Sequence, residues 1–332
     1  MLEALLRLKP INSASVRRLL PEIPIMKTSI QQTMGMKEWL MLICLSVLWG
    51  GSFFFVGVAV SELAPLTIVT LRVSLAAITL WCIAFMMGLK IPTSMRLWGA
   101  FLAMGLLNNA IPFSFIVWGQ THIASGLASV LNATTPLFGV IVAGLLLADE
   151  RASAMKLLGV GIGFLGVMVM IGMPASDLAQ PTNIIAQLAI LVAALSYAFA
   201  SVFGRRFKAT GLNPIIIAAG QVTGSTIILA PVTWYIDGPL KLIGQGSPSI
   251  GVWLAIITLA VFSTALAYVL YFKILASAGA TNILLVTLLV PVSAIILGAL
   301  FLNESLHGVH FIGMLMIALG LSAIDGRLWK RK

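Results

Sequence analysis

Arg72 lies inside a long run of apolar residues, where a charged side chain is rare. At the centre of a bilayer such a charge costs about 2.5–3.5 kcal/mol on insertion scales and seldom faces lipid. Its guanidinium offers a fork of donors that fits a carboxylate, so Arg72 is a candidate for binding a substrate carboxylate. The alternative is a structural role, in which Arg72 bonds to the helix-end carbonyls of a neighbour or extends to the outer interface.

Amide side chains occur in similar surroundings. Asn108, Asn109, Gln120 and Asn132 stand in an apolar stretch of 52 residues, 97–148. A buried amide has up to four hydrogen bonds to satisfy, so it does not face lipid. These residues therefore either contact a substrate or join neighbouring helices, and the second role contributes about 0.6–2 kcal/mol for each contact.

Aromatic side chains away from the expected membrane interfaces form a third group. They are candidates for the wall or the gate of a cavity, where their rings would stack on a substrate. Packing between helices is the alternative for each of them. The group consists of Trp49, Trp118, Tyr197, Tyr268 and Tyr271.

Several other chemistries lack the residues that they need. No Asp or Glu lies inside an apolar run, so a carboxylate proton relay across the membrane is not expected. The sequence has no P-loop, which argues against transport driven directly by ATP. His307 and His310 have only Glu304 nearby, which is a weak metal signal. We therefore expect no catalytic residues, no cofactor and no metal, and an intramembrane enzyme or a channel remains as a rival class.

Membrane-spanning helices are the elements that must position these residues. Charged residues make up 9% of the chain, against roughly 25% in an ordinary soluble domain. About 20 apolar residues cross a bilayer as a helix, so the run 97–148 must fold back. The chain is expected to fold back at the polar break Gly119-Gln120-Thr121-His122. The sequence predicts an all-α integral membrane protein with ten transmembrane helices, from apolar runs at 39–60, 63–89, 97–148, 157–176, 178–204, 209–236, 242–272, 274–303 and 305–324.

The net charge of +10 indicates membrane topology rather than nucleic-acid binding. If the N-terminus is cytoplasmic, every Lys and Arg falls on the cytoplasmic side except Lys241 outside and Arg72 in the membrane. The outer side also carries Glu62, Asp177, Asp237 and Glu304. This asymmetry follows the positive-inside rule. We expect a multi-pass protein of the inner membrane with both termini cytoplasmic.

The chain contains an internal repeat with the pattern Pro, Glu, Gly, Gly. Nine residues separate Glu from the first Gly in both copies, and seven separate the two glycines. The copies are Pro136, Glu150, Gly159 and Gly166, and Pro291, Glu304, Gly313 and Gly320. Looser matches pair Pro65 and Arg72 with Pro214 and Gln221, and Asn108 and Asn109 with Ser263 and Thr264. Each copy holds five helices, an odd number, so the second enters from the opposite side, as in secondary transporters with a midplane site.

These motifs resemble the drug/metabolite transporter superfamily, and more narrowly its EamA-type ten-helix permeases. The resemblance covers roughly 36–325 and rests on Trp49-Gly50-Gly51-Ser52-Phe53, on Pro65 with Arg72, on residues 108–136 and on the doubled pattern. It implies two five-helix bundles, export or exchange of small metabolites, and a central cavity lined mainly by helices 1, 3, 4, 6, 8 and 9. Because the family has an arginine here whatever the substrate, the resemblance favours a structural role for Arg72.

We expect an N-terminal extension over 1–35, disordered or upstream of the true start, repeats over 36–174 and 181–326, and a basic tail over 327–332. Gly159 and Gly163, with Gly161 and Gly166, give helix 5 a face of small residues that predicts close packing, within the bundle or in a homodimer. We read Glu150 and Glu304 as structural, each facing the positive end of the helix that follows it.

The expected cavity is rich in amides and lacks carboxylates, which fits a neutral or zwitterionic metabolite such as an amino acid. We expect export of this metabolite in preference to uptake. A hydrophobic drug and a nucleotide derivative are the alternatives. A strongly cationic substrate is disfavoured because nothing anionic is buried to meet it. The candidate cavity residues are Trp49, Arg72, Asn108, Asn109, Trp118, Asn132, Tyr197, Gln221, Ser263, Thr264 and Tyr268.

Overall fold

The computed structural model describes residues 35–147, 153–172, 181–238, 248–283 and 286–325, and their regular structure is entirely helical. The expected extension and tail, Glu150 and Asp177 lie outside these residues. The helices are α1 Met36–Ala59, α2 Pro65–Met86, α3 Met95–Gly119, α4 Ser125–Leu146, α5 Ala154–Gly172, α6 Pro181–Lys208, α7 Pro214–Ile236, α8 with its three segments Ile250–Ala260, Val261–Leu266 and Ala267–Ile283, α9 Val286–Phe301 and α10 Gly308–Asp325.

The lengths of these helices make this a multi-pass membrane protein. Seven helices in the described residues are long and apolar enough to cross a bilayer, and α5, α9 and α10 contain shorter apolar stretches. The expected fold-back within 97–148 is confirmed, because α3 ends at Gly119 and α4 begins at Ser125. Gly88 and Gly211, just after α2 and α6, have φ of +67° and +66°, a conformation that favours glycine at helix ends.

Helices α3 and α8 share a feature that the sequence did not predict. Each contains a π-helical segment, Leu106–Ala110 in α3 and Val261–Leu266 in α8. Pro112 lies two residues after the end of the first segment, and it has no N–H to donate to the carbonyl of Asn108 four residues earlier. π-Helical segments are rare and occur mostly as single turns, often at functional sites. The two segments contain Asn108 and Asn109 in α3, and Ser263 and Thr264 in α8.

Helix α4 is also interrupted, at Ala133 and Thr134, between the segments Ser125–Asn132 and Thr135–Leu146. Pro136 has no N–H to donate to the carbonyl of Asn132 four residues earlier. The Thr135 hydroxyl donates to that carbonyl instead, at 2.7 Å. The proline of the repeat pattern therefore accounts for the break.

The glycines of the repeat pattern join α5 to α10. A Cβ added to Gly159 would lie 2.5 Å from the carbonyl oxygen of Gly320, and one on Gly166 would lie 2.7 Å from that of Gly313. Because residue numbers rise along α5 while those of its contacts in α10 fall, the two helices are antiparallel. Gly163 meets Leu137 of α4. Gly159, Gly163 and Gly166 therefore pack within the bundle, whereas nothing lies within 4 Å of a Cβ added to Gly161.

Helices α2 and α7 form a second antiparallel pair, along most of their length. The Thr70 and Thr233 hydroxyls are 2.6 Å apart, and Trp81 Nε1 donates to the Thr223 hydroxyl at 2.9 Å. Asp237, just after α7, accepts from the Thr67 amide at 2.9 Å at the start of α2. Polar contacts therefore fix this pair at both of its ends.

Candidate substrate site

A polar cluster lies between the π-helical segments of α3 and α8. The side-chain amides of Asn108 and Asn109 each donate to the Tyr268 hydroxyl at 3.1 Å. Gln221 of α7 also lies within hydrogen-bonding reach of that hydroxyl. The long tyrosine side chain thus collects groups from three helices at one point.

Arg72 of α2 reaches the same pair of helices. Its Nε donates to the Thr264 hydroxyl at 2.9 Å, and that hydroxyl donates to the Leu259 carbonyl at 2.8 Å. The guanidinium carbon lies 3.7 Å from the centre of the Phe113 ring. Since Arg72 is 6% exposed, it does not extend to the interface. Its hydrogen-bond partner is a hydroxyl in the π-helical segment of α8 rather than a helix-end carbonyl.

The charge of Arg72 has no carboxylate partner in the described part of the chain. Its electrostatic neighbours are the hydroxyls of Tyr197 and Tyr268. The described acids lie at helix ends, where Glu62 accepts from the Ser249 amide at 2.6 Å. No hydrogen bond joins the two terminal nitrogens of Arg72 to another residue that the structure describes. They are therefore available to an anionic group.

Two buried polar atoms of the cluster also lack partners in the described part of the chain. They are the side-chain oxygens of Asn109 and Ser263, residues that are 0% and 1% exposed. Leaving such a group unsatisfied costs about 1–3 kcal/mol, so each one needs an explanation. A ligand or water that bonds to these atoms is the simplest one. Together with Arg72 they make a site with one cation, several acceptors and donors, and no fixed anion.

Some sequence candidates stand apart from the cluster. Trp118 packs against His122 at the end of α3, with ring centres 5.0 Å apart. Trp49 packs against Tyr271, with ring centres 5.7 Å apart, one turn beyond Tyr268. Asn132 lies at the break in α4, and its buried side-chain oxygen has no partner. Trp118 is therefore the candidate that the structure separates most clearly.

Sequence reasoning missed two residues of interest. Phe113, under the guanidinium of Arg72, is an apolar residue in an apolar run, so nothing in the sequence marks it. Gln187 of α6 is 2% exposed and its side-chain oxygen lacks a partner. The signal for Gln187 was present, since it is an amide inside an apolar run like the asparagines.

Glu304 faces a different helix from the one that was expected. Its carboxylate accepts hydrogen bonds at the start of α4, from the Ser125 amide at 2.8 Å and the Ser125 hydroxyl at 2.7 Å. The helix that follows it in sequence is α10. The interpretation that Glu304 faces the helix after it was therefore wrong, because the fold brings the α9–α10 connection over α4.

Comparisons with known proteins agree with this architecture. The profile of the EamA-like transporter family matches residues 36–172 and 184–324. An "Uncharacterized transporter" from Archaeoglobus fulgidus is 26% identical, over 86% of this chain and 98% of its own. A "Probable amino-acid metabolite efflux pump" from Escherichia coli is 26% identical, over 90% and 98%. A solved crystal structure aligns with a TM-score of 0.63 at 18% identity, over 88% of this chain and 97% of its own, which indicates the same fold.

Proposed function

The chain belongs to the EamA-like transporter family, and we propose that it exports or exchanges a small organic metabolite by alternating access. The family and the relatives are transporters, so the chain is a permease and not an enzyme. The observation that carries the proposal is the polar cluster around Tyr268. Its unpaired cation and unpartnered oxygens lie between helices, where lipid cannot satisfy them.

The proposed architecture has ten transmembrane helices in two inverted repeats, 36–174 and 181–326. An inverted repeat makes equivalent helices run antiparallel across its axis. The pairs α5–α10 and α2–α7 are antiparallel, which supports this arrangement. The occurrence of a π-helical segment in both α3 and α8, third in each repeat, supports it independently.

The proposed location is the inner membrane, with both termini in the cytoplasm. Basic residues beside the helix ends support this orientation through the positive-inside rule. A relative from Escherichia coli, 26% identical over 88% of this chain, bears the name "Uncharacterized inner membrane transporter YedA". A homodimer stays a proposal without a surface assigned to it, because α10 covers Gly159 and Gly166 of α5.

The proposed substrate is neutral or zwitterionic, such as an amino acid. The terminal nitrogens of Arg72 would hold its carboxylate in a bidentate contact. The unpartnered oxygens of Asn109 and Ser263 would accept hydrogen bonds from its amino group. A cation without a carboxylate is disfavoured, because it would meet Arg72 with no anion to compensate. The Escherichia coli relative with an amino-acid metabolite in its name supports this class.

Metabolite excretion tests the proposal. Cells that lack the protein, overproduce it, or overproduce the Asn109→Ala variant would be compared by mass spectrometry of the medium. We expect one group of small carboxylate-bearing metabolites to rise in the medium on overproduction of the unaltered protein alone. A change in tolerance to hydrophobic drugs, with no such metabolite, would favour a multidrug exporter instead.

A further inference from the structure

The carboxylate of Glu304 caps the N-terminal end of α4. One of its oxygens accepts from the Ser125 amide at 2.8 Å. The other accepts from the Ser125 hydroxyl at 2.7 Å and from the Gly126 amide at 3.2 Å. The first amides of a helix have no partner within it, and the helix dipole favours a negative charge there. Glu304 thus supplies a hydrogen-bond acceptor and a negative charge at the start of α4. Glu304 belongs to the second proposed repeat, whereas α4 belongs to the first.

The two segments of α4 share α6 as a neighbour but differ in their other contacts. Ser125–Asn132 also lies against α9 and α1, and a Cβ on Gly126 would be 3.8 Å from the Cβ of Ile295. Thr135–Leu146 also lies against α5 and α10 in the described part of the chain. The contact of α4 with α9 is therefore made mainly by the segment at the Glu304 end.

We propose that Ser125–Asn132 is the external gate of the permeation pathway and that Glu304 holds it closed against α9. The inference rests on the proposed alternating access, in which a pathway between the repeats opens to one side at a time. Opening to the outside requires α4 to move away from α9 at this end. The three hydrogen bonds to Glu304 must break in that step, and the break at Ala133 and Thr134 provides the hinge.

A similar contact elsewhere serves as a comparison. Asp237 accepts from the Thr67 amide at 2.9 Å and from its hydroxyl at 2.7 Å, at the start of α2. It also joins the two repeats on the same proposed side. However, α2 and α7 remain in contact from Thr67 to Trp81, so this contact belongs to a fixed pair of helices. Losing it should weaken the pair without opening a pathway.

Access to the polar cluster from outside tests the gate without a substrate. A reporter Ser263→Cys would be placed in a Cys44→Ser, Cys82→Ser background and treated with a membrane-impermeant thiol reagent on whole cells. Glu304→Gln should raise the labelling rate on the order of tenfold, since it replaces charge-assisted bonds with weaker ones. Asp237→Asn should leave the rate unchanged. Equal rates in the Glu304→Gln variant and its parent, at equal protein levels and melting temperatures, would overturn the proposal.

A cross-link provides the complementary test, and it remains informative if Glu304→Gln fails to fold. Gly126→Cys with Ile295→Cys has the Cβ separation of a natural disulfide. The control is Thr70→Cys with Thr233→Cys, which joins the fixed pair α2–α7. Oxidation should abolish reporter labelling in the first variant, with recovery on reduction, and should spare it in the control. The same two cysteine pairs, placed in a background that keeps Ser263, should lose transport and keep it respectively. Unchanged labelling after complete oxidation of the first pair would refute the gate. Loss of labelling without detectable transport of any amino acid by the parent that keeps Ser263 would retain the gate and refute the proposed substrate.

Discussion

At the scale of single residues, the polar cluster is costly unless something occupies it. Asn109, Ser263 and Arg72 leave hydrogen-bonding capacity unused inside a membrane protein. The sequence located these residues because polar side chains stand out in apolar runs. It could not show that they meet at Tyr268, since Asn108 and Tyr268 are 160 positions apart and depend on the fold to meet. Nor could it identify the partner of Arg72, because Thr264 is one of many hydroxyls.

Asn109→Ala separates substrate contact from a role in helix packing. The change removes one donor to Tyr268, which keeps Asn108, and also removes an unpartnered buried oxygen. These effects on the free energy of unfolding are opposite, so we expect a change below about 1 kcal/mol. Transport should fall about tenfold or more. A drop in melting temperature and protein level in step with transport would contradict substrate contact.

Replacing Arg72 tests recognition of a carboxylate. Arg72→Lys keeps the charge but loses the planar fork and the Nε bond to Thr264. We expect the KM for an amino acid to rise about tenfold or more, with a much smaller rise for the corresponding amino-acid amide. Thr264→Val, which frees the guanidinium from its anchor, should show the same selectivity with a smaller effect. Equal losses for acid and amide in uptake assays would exclude a carboxylate contact.

At the scale of elements, the helices followed from the length of the apolar runs, and so did the turn after Gly119. The π-helical segments did not, because the one extra residue of a π turn does not show in helices that are apolar on nearly all faces. Pro112, two residues after the segment in α3, is the one visible cause, and α8 contains no proline. The partner of Glu304 was also out of reach, since sequence neighbours indicate α10 and the fold supplies α4.

Close contact between α5 and α10 makes a specific demand on Gly320. A Cβ there would lie 2.5 Å from the Gly159 carbonyl oxygen and 2.9 Å from the Gly163 amide nitrogen. Gly320→Ala should therefore lower the free energy of unfolding by about 1–3 kcal/mol, measured as a lower melting temperature in detergent. Gly161→Ala is the matched control, because nothing lies within 4 Å of its added Cβ. That change should be neutral or stabilising by up to about 1 kcal/mol, and equal losses in both variants would contradict the packing.

At the scale of the whole molecule, the basic residues and the repeat both concern orientation in the membrane. By the positive-inside rule, the proposed orientation has the α4–α5 connection in the cytoplasm and the α9–α10 connection outside. Only the distribution of charged residues supports this orientation. The internal contacts of the protein are the same whichever side faces the cytoplasm, so they do not bear on it.

Cysteine labelling tests this topology. Gly308→Cys and Ser153→Cys would be made separately in a background free of Cys44 and Cys82. Both positions tolerate the change, since nothing lies within 4 Å of a Cβ on Gly308 and Ser153 is exposed. An impermeant reagent added to whole cells should modify position 308 and spare position 153. The reverse pattern would contradict the orientation, and modification of both positions would contradict the inverted repeat.

Transport by the purified protein in liposomes tests the central claim most directly. Vesicles loaded with an unlabelled amino acid would be given the same amino acid in labelled form outside, and a panel of amino acids would be examined. We predict saturable exchange for at least one neutral amino acid, reduced about tenfold or more by Asn109→Ala and absent from protein-free vesicles. Saturable exchange of hydrophobic cations, with none for any amino acid in the panel, would contradict the account.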